Sequence, residues 1–524
     1  MKIKLNIKAL AELFVIVALL LISTKTFAQE KIVKEIQVEN YLADKSLKET
    51  VLVKVGDKTI TVREFYERAE YTIRPRYAKG KSELDKKIIL NSLIAEKLIA
   101  LERGSKSSIH NQKEYKNIMD GRKGQVMRQI LFHEEGYSKV KIDSAEFVRE
   151  YKLAGRSYDV EFINFDVLDE AEFVADQLRS DTVSFSQIFY ELSGKNNVPT
   201  QQIVWNSPEH KEVTDILFKG EVKDNQVFGP VKLDDSYLVF KVIGWTDKPA
   251  ITETDQMQRY KNVDQKLKVE RGTQEYIKFI KKVMSGKKIE FDKNTFNKLV
   301  RIMAPLYDDK RKQSKENFAS RNLDKKTDMD KTILEVEENM YGILNEAVFT
   351  IDGQIWTVGM YEEERQKHPL VFPSKDVGGK KFAGQLKMAI VDMIQDKYLT
   401  EVAYERNYDK AFIAKRVANM WSDALISFYE QIQLIKEKNA PRDFTYENID
   451  KFFKPYIDEL QEKYSDVIEI NIEEFKKIKL TSIDFLALQK NVPYPIIAPS
   501  FPMITTDYHL DYGKKMEAKK DSTK

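Results

Sequence analysis

The chain carries five histidines, His110, His133, His210, His368 and His509, and no cysteine. That inventory narrows the chemistry at once. Thiolate nucleophiles, disulfides and thiolate metal sites are excluded. No histidines stand at the H-E-x-x-H spacing that sets a zinc pair on one helix face, and no metal site is expected. No G-x-S-x-G elbow lifts a serine above a sheet. Gly378-Gly379-Lys380 lacks the first glycine of a phosphate loop at the right distance, so neither nucleotide nor other cofactor is expected. Carboxylates lie among lysines along helices, the pattern of a solvated face. Lys+Arg 86 nearly cancels Asp+Glu 83, which argues against a nucleic-acid partner. What stands out is aromatic: 25 Tyr and 28 Phe, read either as core or as apolar contact surface.

The elements that must position these side chains follow from pattern. Lys2, Lys4 and Lys8 precede the apolar run Leu13 to Ile22, and Thr26-Phe27-Ala28 offers a cleavage site. The run falls short of the roughly 20 residues that span a bilayer, so 1–28 reads as a secretory signal and the chain as extracytoplasmic. Val51 to Val62 predicts two short strands about a Gly56-Asp57 turn, with a helix from Val62 broken at Pro75 and Gly80. Leu84 to Arg103 predicts a helix with Leu90, Leu93, Ile94 and Leu98 on one face, stopped by Gly104. Another helix is expected over Lys113–His133, and Asp143 caps the next, with Glu146 three residues on.

From Tyr158 the texture changes. A strand is expected at Val160–Phe165, helices at Asp169–Leu178 and Phe185–Leu192, and a closing strand at Asp235–Trp245. Helix returns over Asp255–Ser285, and the charged stretch 308–331 reads as a linker. Phe444–Tyr464 predicts a helix, Val467–Ile472 a strand, Val492–Pro502 an extended proline-rich segment, and the Lys-rich tail after Gly513 disorder.

An internal repeat crosses this layout. Asp352 to Tyr361 mirrors Gly56 to Phe65, with Thr357-Val358 falling on Thr61-Val62. Leu90, Leu93, Ile94, Lys97, Leu98 and Ile99 match Ile390, Met393, Ile394, Lys397, Tyr398 and Leu399. Turn, helix, proline-containing loop and long amphipathic helix recur in the same order, as a duplicated module would give.

The opening Val53-Lys-Val-Gly56 through Ile60-Thr61 to Glu64-Phe65, followed by the Leu- and Ile-rich helix, resembles the SurA-type periplasmic chaperones and their parvulin-type peptidyl-prolyl isomerase domains. The stretch Tyr158 to Trp245 resembles a parvulin domain in outline. Val204-Trp205 stands for its Gly-Trp segment, Val213–Phe218 for its short helix, and Gly229-Pro230-Val231 for its turn before the last strand. The resemblance implies an α+β fold: helical chaperone modules with an inserted small antiparallel sheet wrapped by helices. It implies modules at 51–155 and 332–440, the parvulin-like domain at 156–247, and returning helices at 248–307 packing on the N-terminal module. A C-terminal segment, 441–524, follows.

The departures from that family decide the expected activity. Its isomerases place a histidine on the first and on the last strand, facing each other beneath the bound proline. Those positions fall here on Phe162 (or Glu161, one register away) and on Leu238. His210 falls in the loop after Trp205, as a solvated residue. Isomerisation must lower an amide barrier of ~18–20 kcal/mol through hydrogen bonds aimed at the twisted bond. Phe and Leu can grip but cannot supply them. The expectation is therefore an ATP-independent chaperone of unfolded envelope or outer-membrane proteins, with Phe162, Trp205, Phe218 and Leu238 as peptide-binding candidates and no catalytic residue. An active isomerase with a rearranged site, or a scaffold subunit of an outer-membrane assembly complex, are the rival expectations.

Overall fold

A computed structural model describes residues 50–180, 183–206, 211–233, 236–316, 335–336, 338–372, 377–441, 445–480 and 497–516. The signal segment, His210 and the tail after Met516 lie outside them. The architecture is α+β, largely helical with small sheets that are almost wholly antiparallel. The described chain divides into an inserted unit, within 140–271, and a discontinuous unit built from what precedes and follows it.

The chain opens with a hairpin, β1 (Val51–Val55) and β2 (Lys58–Thr61), turning at Gly56, whose φ of 60° favours glycine. The Thr61 side chain accepts from the Glu64 N–H and so starts α1 (Val62–Glu70). A capping box of Ser82 and Asp85 starts α2 (Glu83–Arg103), which ends at Gly104. Then comes α3 (Lys113–Glu135).

The inserted unit begins at α4 (Ser144–Leu153), capped by Asp143. Its other elements are β3 (Arg156–Phe165), α5 (Leu168–Arg179), α6 (Phe185–Ser193), β4 (Thr200–Val204) and α7 (Lys211–Lys219). Then follow β5 (Val227–Lys232), β6 (Tyr237–Asp247) and the start of α8 (Glu253–Val283). Its sheet runs β4-β3-β6-β5, every pair antiparallel. Gly229-Pro230-Val231 is not a turn before the last strand. It lies inside β5, where the register shifts between Phe228 and Val231 and the Gly229–Pro230 bond is cis. Period-2 alternation gives the sheet two apolar faces. Ile163, Phe165 and Val239 meet α5 and α6, and Tyr158, Val160, Phe240 and Val242 meet α7 and α8.

The second half of the chain rebuilds the opening module. After β7 (Ile289–Phe291) and α9 (Lys293–Glu316) come β8 (Ala347–Ile351), β9 (Gln354–Thr357), α10 (Val358–Lys367), α11 (Phe382–Glu405) and α12 (Phe412–Glu437). The intervals between β8, β9 and α10 repeat those between β1, β2 and α1. Both hairpins carry a register irregularity after their first residue, Val51 in one and Ala347 in the other. Thr357 caps α10 through the Met360 N–H, as Thr61 caps α1. The chain closes with α13 (Lys454–Lys463), β10 (Ile468–Ile470), α14 (Ile472–Lys477) and the two-residue β11 (Lys514–Lys515).

Two exchanges knit the copies together. The returning segment was expected on the N-terminal module, 51–155, and α8 meets that stretch through Tyr260 beside Phe147 of α4 and through Tyr276 and Phe279 beside Leu131 and Phe132 of α3. Its β7 pairs with β8, Phe291 opposite Phe349, and α9 fills the second core with Leu299 and Met303. The first hairpin is closed instead by β10 from the far end, Ile470 opposite Val53. The third helices are traded as well: α3 lies on α10 and α11, and α12 lies on α2. Gly121 permits the first of these contacts, because a Cβ there would stand 2.3 Å from the Lys367 carbonyl oxygen. The expected linker is shorter at its start, since α9 runs through Pro305 to Glu316; the rest of it lies outside the described residues.

Candidate functional site

The four candidate residues do come together. Phe162 is on β3, Leu238 on β6, Trp205 just after β4 and Phe218 on α7, and all belong to one apolar cluster. Their surroundings are not those of an open slot. They are 7%, 7%, 3% and 3% exposed, in the same order, so none presents a surface to a peptide in this conformation. Two helices close the face. From α8, Val263 and Leu267, one turn apart, enter the cluster, and from α4, Phe147 and Tyr151 pack at its edge. Phe162 sits opposite Phe240 in the β3–β6 register, and Leu238 opposite Asn164. Phe218 meets the Tyr158 ring edge-on at 5.1 Å.

Trp205 is tied to both covering helices. Its Nε1–H donates to Glu150 Oε2 of α4 at 2.8 Å. Lys266 Nζ of α8 donates to its carbonyl at 3.0 Å and stands 3.9 Å from the ring centroid. Burial pushes the Lys266 ammonium below its usual range. A buried indole N–H needs an acceptor, and an ammonium over an indole face is attracted by the ring quadrupole. Together these contacts fasten the cover. Glu150, Val263, Lys266 and Leu267 were not singled out from the sequence. The i, i+4 spacing of Val263 and Leu267 was visible there, but periodicity does not say which surface a stripe will cover.

No imidazole lies among the described residues of this unit. His110 follows α2, His133 is on α3, His368 ends α10 and His509 is near the C-terminus. Among the described residues, no three His, Asp or Glu side chains converge as a metal set, and no helix is long and apolar enough to cross a membrane.

The outside of the cover differs from its inside. The Phe147 and Tyr260 rings lie 4.7 Å apart across α4 and α8, and Phe147 stacks with Tyr151 at 6.4 Å. Around this seam Val148, Met257 and Tyr260 are each more than half exposed, and Ile251, just before α8, is 78% exposed. The chain matches no family model, no curated protein and no solved structure.

Proposed function

We propose that this chain is an extracytoplasmic, ATP-independent chaperone for unfolded envelope and outer-membrane proteins, whose inserted unit keeps a parvulin-like architecture without isomerase chemistry. The order strand, helix, helix, strand, helix, strand, strand supports the kinship, as does the duplicated hairpin-and-helix module. The sequence of 1–28 supports export. The observation that carries the reading is the seam on α4 and α8, where Val148, Ile251, Met257 and Tyr260 leave apolar surface in water. Contiguous apolar surface with methionine and tyrosine suits partners of varied sequence. The slot beneath is filled by the protein's own Val263 and Leu267 and contributes scaffold.

The test is suppression of aggregation of a urea-unfolded outer-membrane protein by the full mature chain, with a proline-peptide isomerisation assay beside it. Met257→Ser with Tyr260→Ser should lower suppression severalfold without unfolding the protein, and isomerisation should stay at the uncatalysed rate. Unchanged suppression by that pair would remove the seam from the proposal. Catalysed isomerisation would overturn the scaffold role, and a single stoichiometric partner in a pull-down would replace holding by scaffolding.

A further inference from the structure

The two copies of the module are closed alike and finished differently. β7 lies against β8 in the register that β10 takes against β1, with Phe291 opposite Phe349 as Ile470 is opposite Val53. The next residue repeats the match. The Asp292 N–H donates to the Val348 carbonyl and the Asn471 N–H to the Leu52 carbonyl. Each side chain then accepts from an N–H three residues on, Thr295 at 2.8 Å and Glu474 at 3.0 Å, and so starts α9 or α14. The first copy then takes one piece more. Residues 497–516 lie over α2, and β11 adds outside β10, where the Met516 N–H donates to the Ile470 carbonyl at 3.0 Å. Among the described residues the second copy has no such piece, and its sheet ends at β7.

The seat left bare shows in matching side chains. On α2, Ile88 and Asn91 are 4% and 0% exposed, whereas on α11 the matching Met388 and Val391 are 59% and 37% exposed. Three residues apart on a helix, they share one face. The edge of β7 is bare as well. The Lys288 carbonyl and the Asp292 N–H bond toward β8, so by antiparallel alternation the N–H and carbonyl of Phe291 point away from it. That is the place where Ile470 receives Met516. An open strand edge beside exposed apolar side chains is where an extended chain can add.

Charge separates the candidate occupants. The C-terminal segment of a second copy would bring Lys514 and Lys515. In the first copy Asp466, Glu469 and Glu473 flank β11, and Lys514 Nζ donates to the Asp466 carbonyl at 2.9 Å. The matching positions around β7 hold Lys287, Glu290 and Asn294, so three carboxylates become one and a lysine is added. The side chains that hold the carbonyls of 497–516 are lost too. Arg68, Asn91 and Ser92 donate to Ser500, Asp507 and Thr505, and their counterparts Glu364, Val391 and Asp392 carry neither a side-chain N–H nor an alcohol hydroxyl. We propose that β7 and the Met388–Val391 face of α11 seat an extended apolar segment without lysines, supplied by an unfolded client and added as a strand outside β7. The client as its source rests on the chaperone reading; the seat itself does not.

The test is fluorescence anisotropy of a labelled peptide, Glu-Thr-Val-Thr-Val-Ser-Val-Glu with blocked ends, titrated with the full mature chain. It should bind saturably and slow amide exchange at 289–291. The same peptide N-methylated throughout its centre, a version with Lys at both ends, and a peptide of residues 510–516 should each bind at least about tenfold more weakly, the loss expected for about one hydrogen bond or charge contact. Met388→Lys with Val391→Lys changes only exposed positions and should weaken binding by about tenfold or more with the melting temperature kept. Met257→Ser with Tyr260→Ser should leave peptide binding unchanged. No saturable binding at millimolar peptide, equal binding of the N-methylated peptide, or full binding by the folded double-lysine variant would each overturn the seat. Tighter binding of 510–516 would overturn the client in favour of a second copy. Peptide binding without suppression of client aggregation would remove the chaperone reading and the client as source, and leave the seat.

Discussion

In the first copy of the module α1 supplies the cation and α2 the anion. Arg68 and Glu96, both fully buried, meet through two hydrogen bonds of 2.7 Å, and Arg68 also donates to the Ser500 carbonyl. In the second copy the same positions on α10 and α11 hold Glu364 and Asp396, both acidic, and the cation arrives from the exchanged helix α3. Arg128 Nη2 is 3.1 Å from Asp396 Oδ2, and its Nη1 donates to Thr400 and to His368 Nδ1. His368 Nε2 then faces Glu364 at 3.3 Å. The repeated lysines diverge in the same way. Lys97 is buried between Glu64 and Asp423 of α12, whereas Lys397 pairs along its own helix with Glu401. One backbone plan therefore tolerates two charge arrangements, provided that each buried charge finds its partner and that the exchanged helix brings what the copy lacks.

The largest effect should come from breaking the more buried pair. Arg68→Leu leaves Glu96 charged and unpaired in the first core and should cost about 3–5 kcal/mol in urea unfolding. Arg128→Leu should cost less, because Asp396 keeps 17% side-chain exposure. Equal costs would mean that the copies are more alike than their charges suggest.

Packing of the exchanged helix comes next. Gly121→Ala sets a Cβ 2.3 Å from the Lys367 carbonyl and should destabilise by about 1–3 kcal/mol. Gly384→Ala, on α11 with nothing within 4 Å, should instead gain about 0.5–1 kcal/mol. A neutral Gly121→Ala would deny the close approach of α3 to α10.

The second copy should show a pH signature of its own. Burial, then Arg128, lowers the His368 pKa to about 2, so below about pH 6.5 the unfolded chain binds a proton that the folded chain refuses. Stability from His368 is present above that pH and falls by up to ~1.4 kcal/mol per pH unit as acid is added. Asp392 works in reverse. Burial, then Asp396, raises its pKa to about 6, so the folded chain takes up a proton as pH falls through about 6 while the unfolded carboxyl waits until about 3.9. Its contribution is present at low pH and lost as pH rises through 6. His368→Gln should flatten the acid limb of a plot of melting temperature against pH. Asp392→Asn should gain ~1–2 kcal/mol at pH 8, discounted for partial exposure, and nothing near pH 4. Slopes of the opposite sign would reject both assignments.

The smallest test concerns the shared caps. Thr61→Ala and Thr357→Ala each remove one hydroxyl–N–H bond and should each cost about 1 kcal/mol in thermal unfolding. Unequal costs would weaken the equivalence of the two hairpins.

Local chemistry made much of this legible. Gly104 and Asp143 stop or start helices through atoms within a few residues of themselves, and the alternation of Val160, Phe162, Phe240 and Val242 needs only the period of a strand. The duplicated hairpin was visible because its turn and cap residues recur at fixed intervals. Convergence of Phe162, Trp205, Phe218 and Leu238 was also readable, but not that α8 would cover them. Val492–Pro502 was expected as an extended segment, of which 492–496 lie outside the described residues; the seat of 497–516 against α1 and α2 was not legible. There Asn91 donates to the carbonyls of Asp507 and His509, and Ser500 meets Arg68.

What the sequence determined by itself is most of the longer helices and strands, the cap at Asp143 and the stop at Gly104, the repetition of the opening module and the absence of histidine from the two strands. Only the tertiary structure decided which copy each third helix and each closing strand would serve, and that α8 would cover the slot. Caps and periodicities are settled by neighbours in the chain. Burial of a stripe or a charge is settled by whichever partner minimises unpaired polar groups and exposed apolar area, and that partner can lie hundreds of residues away.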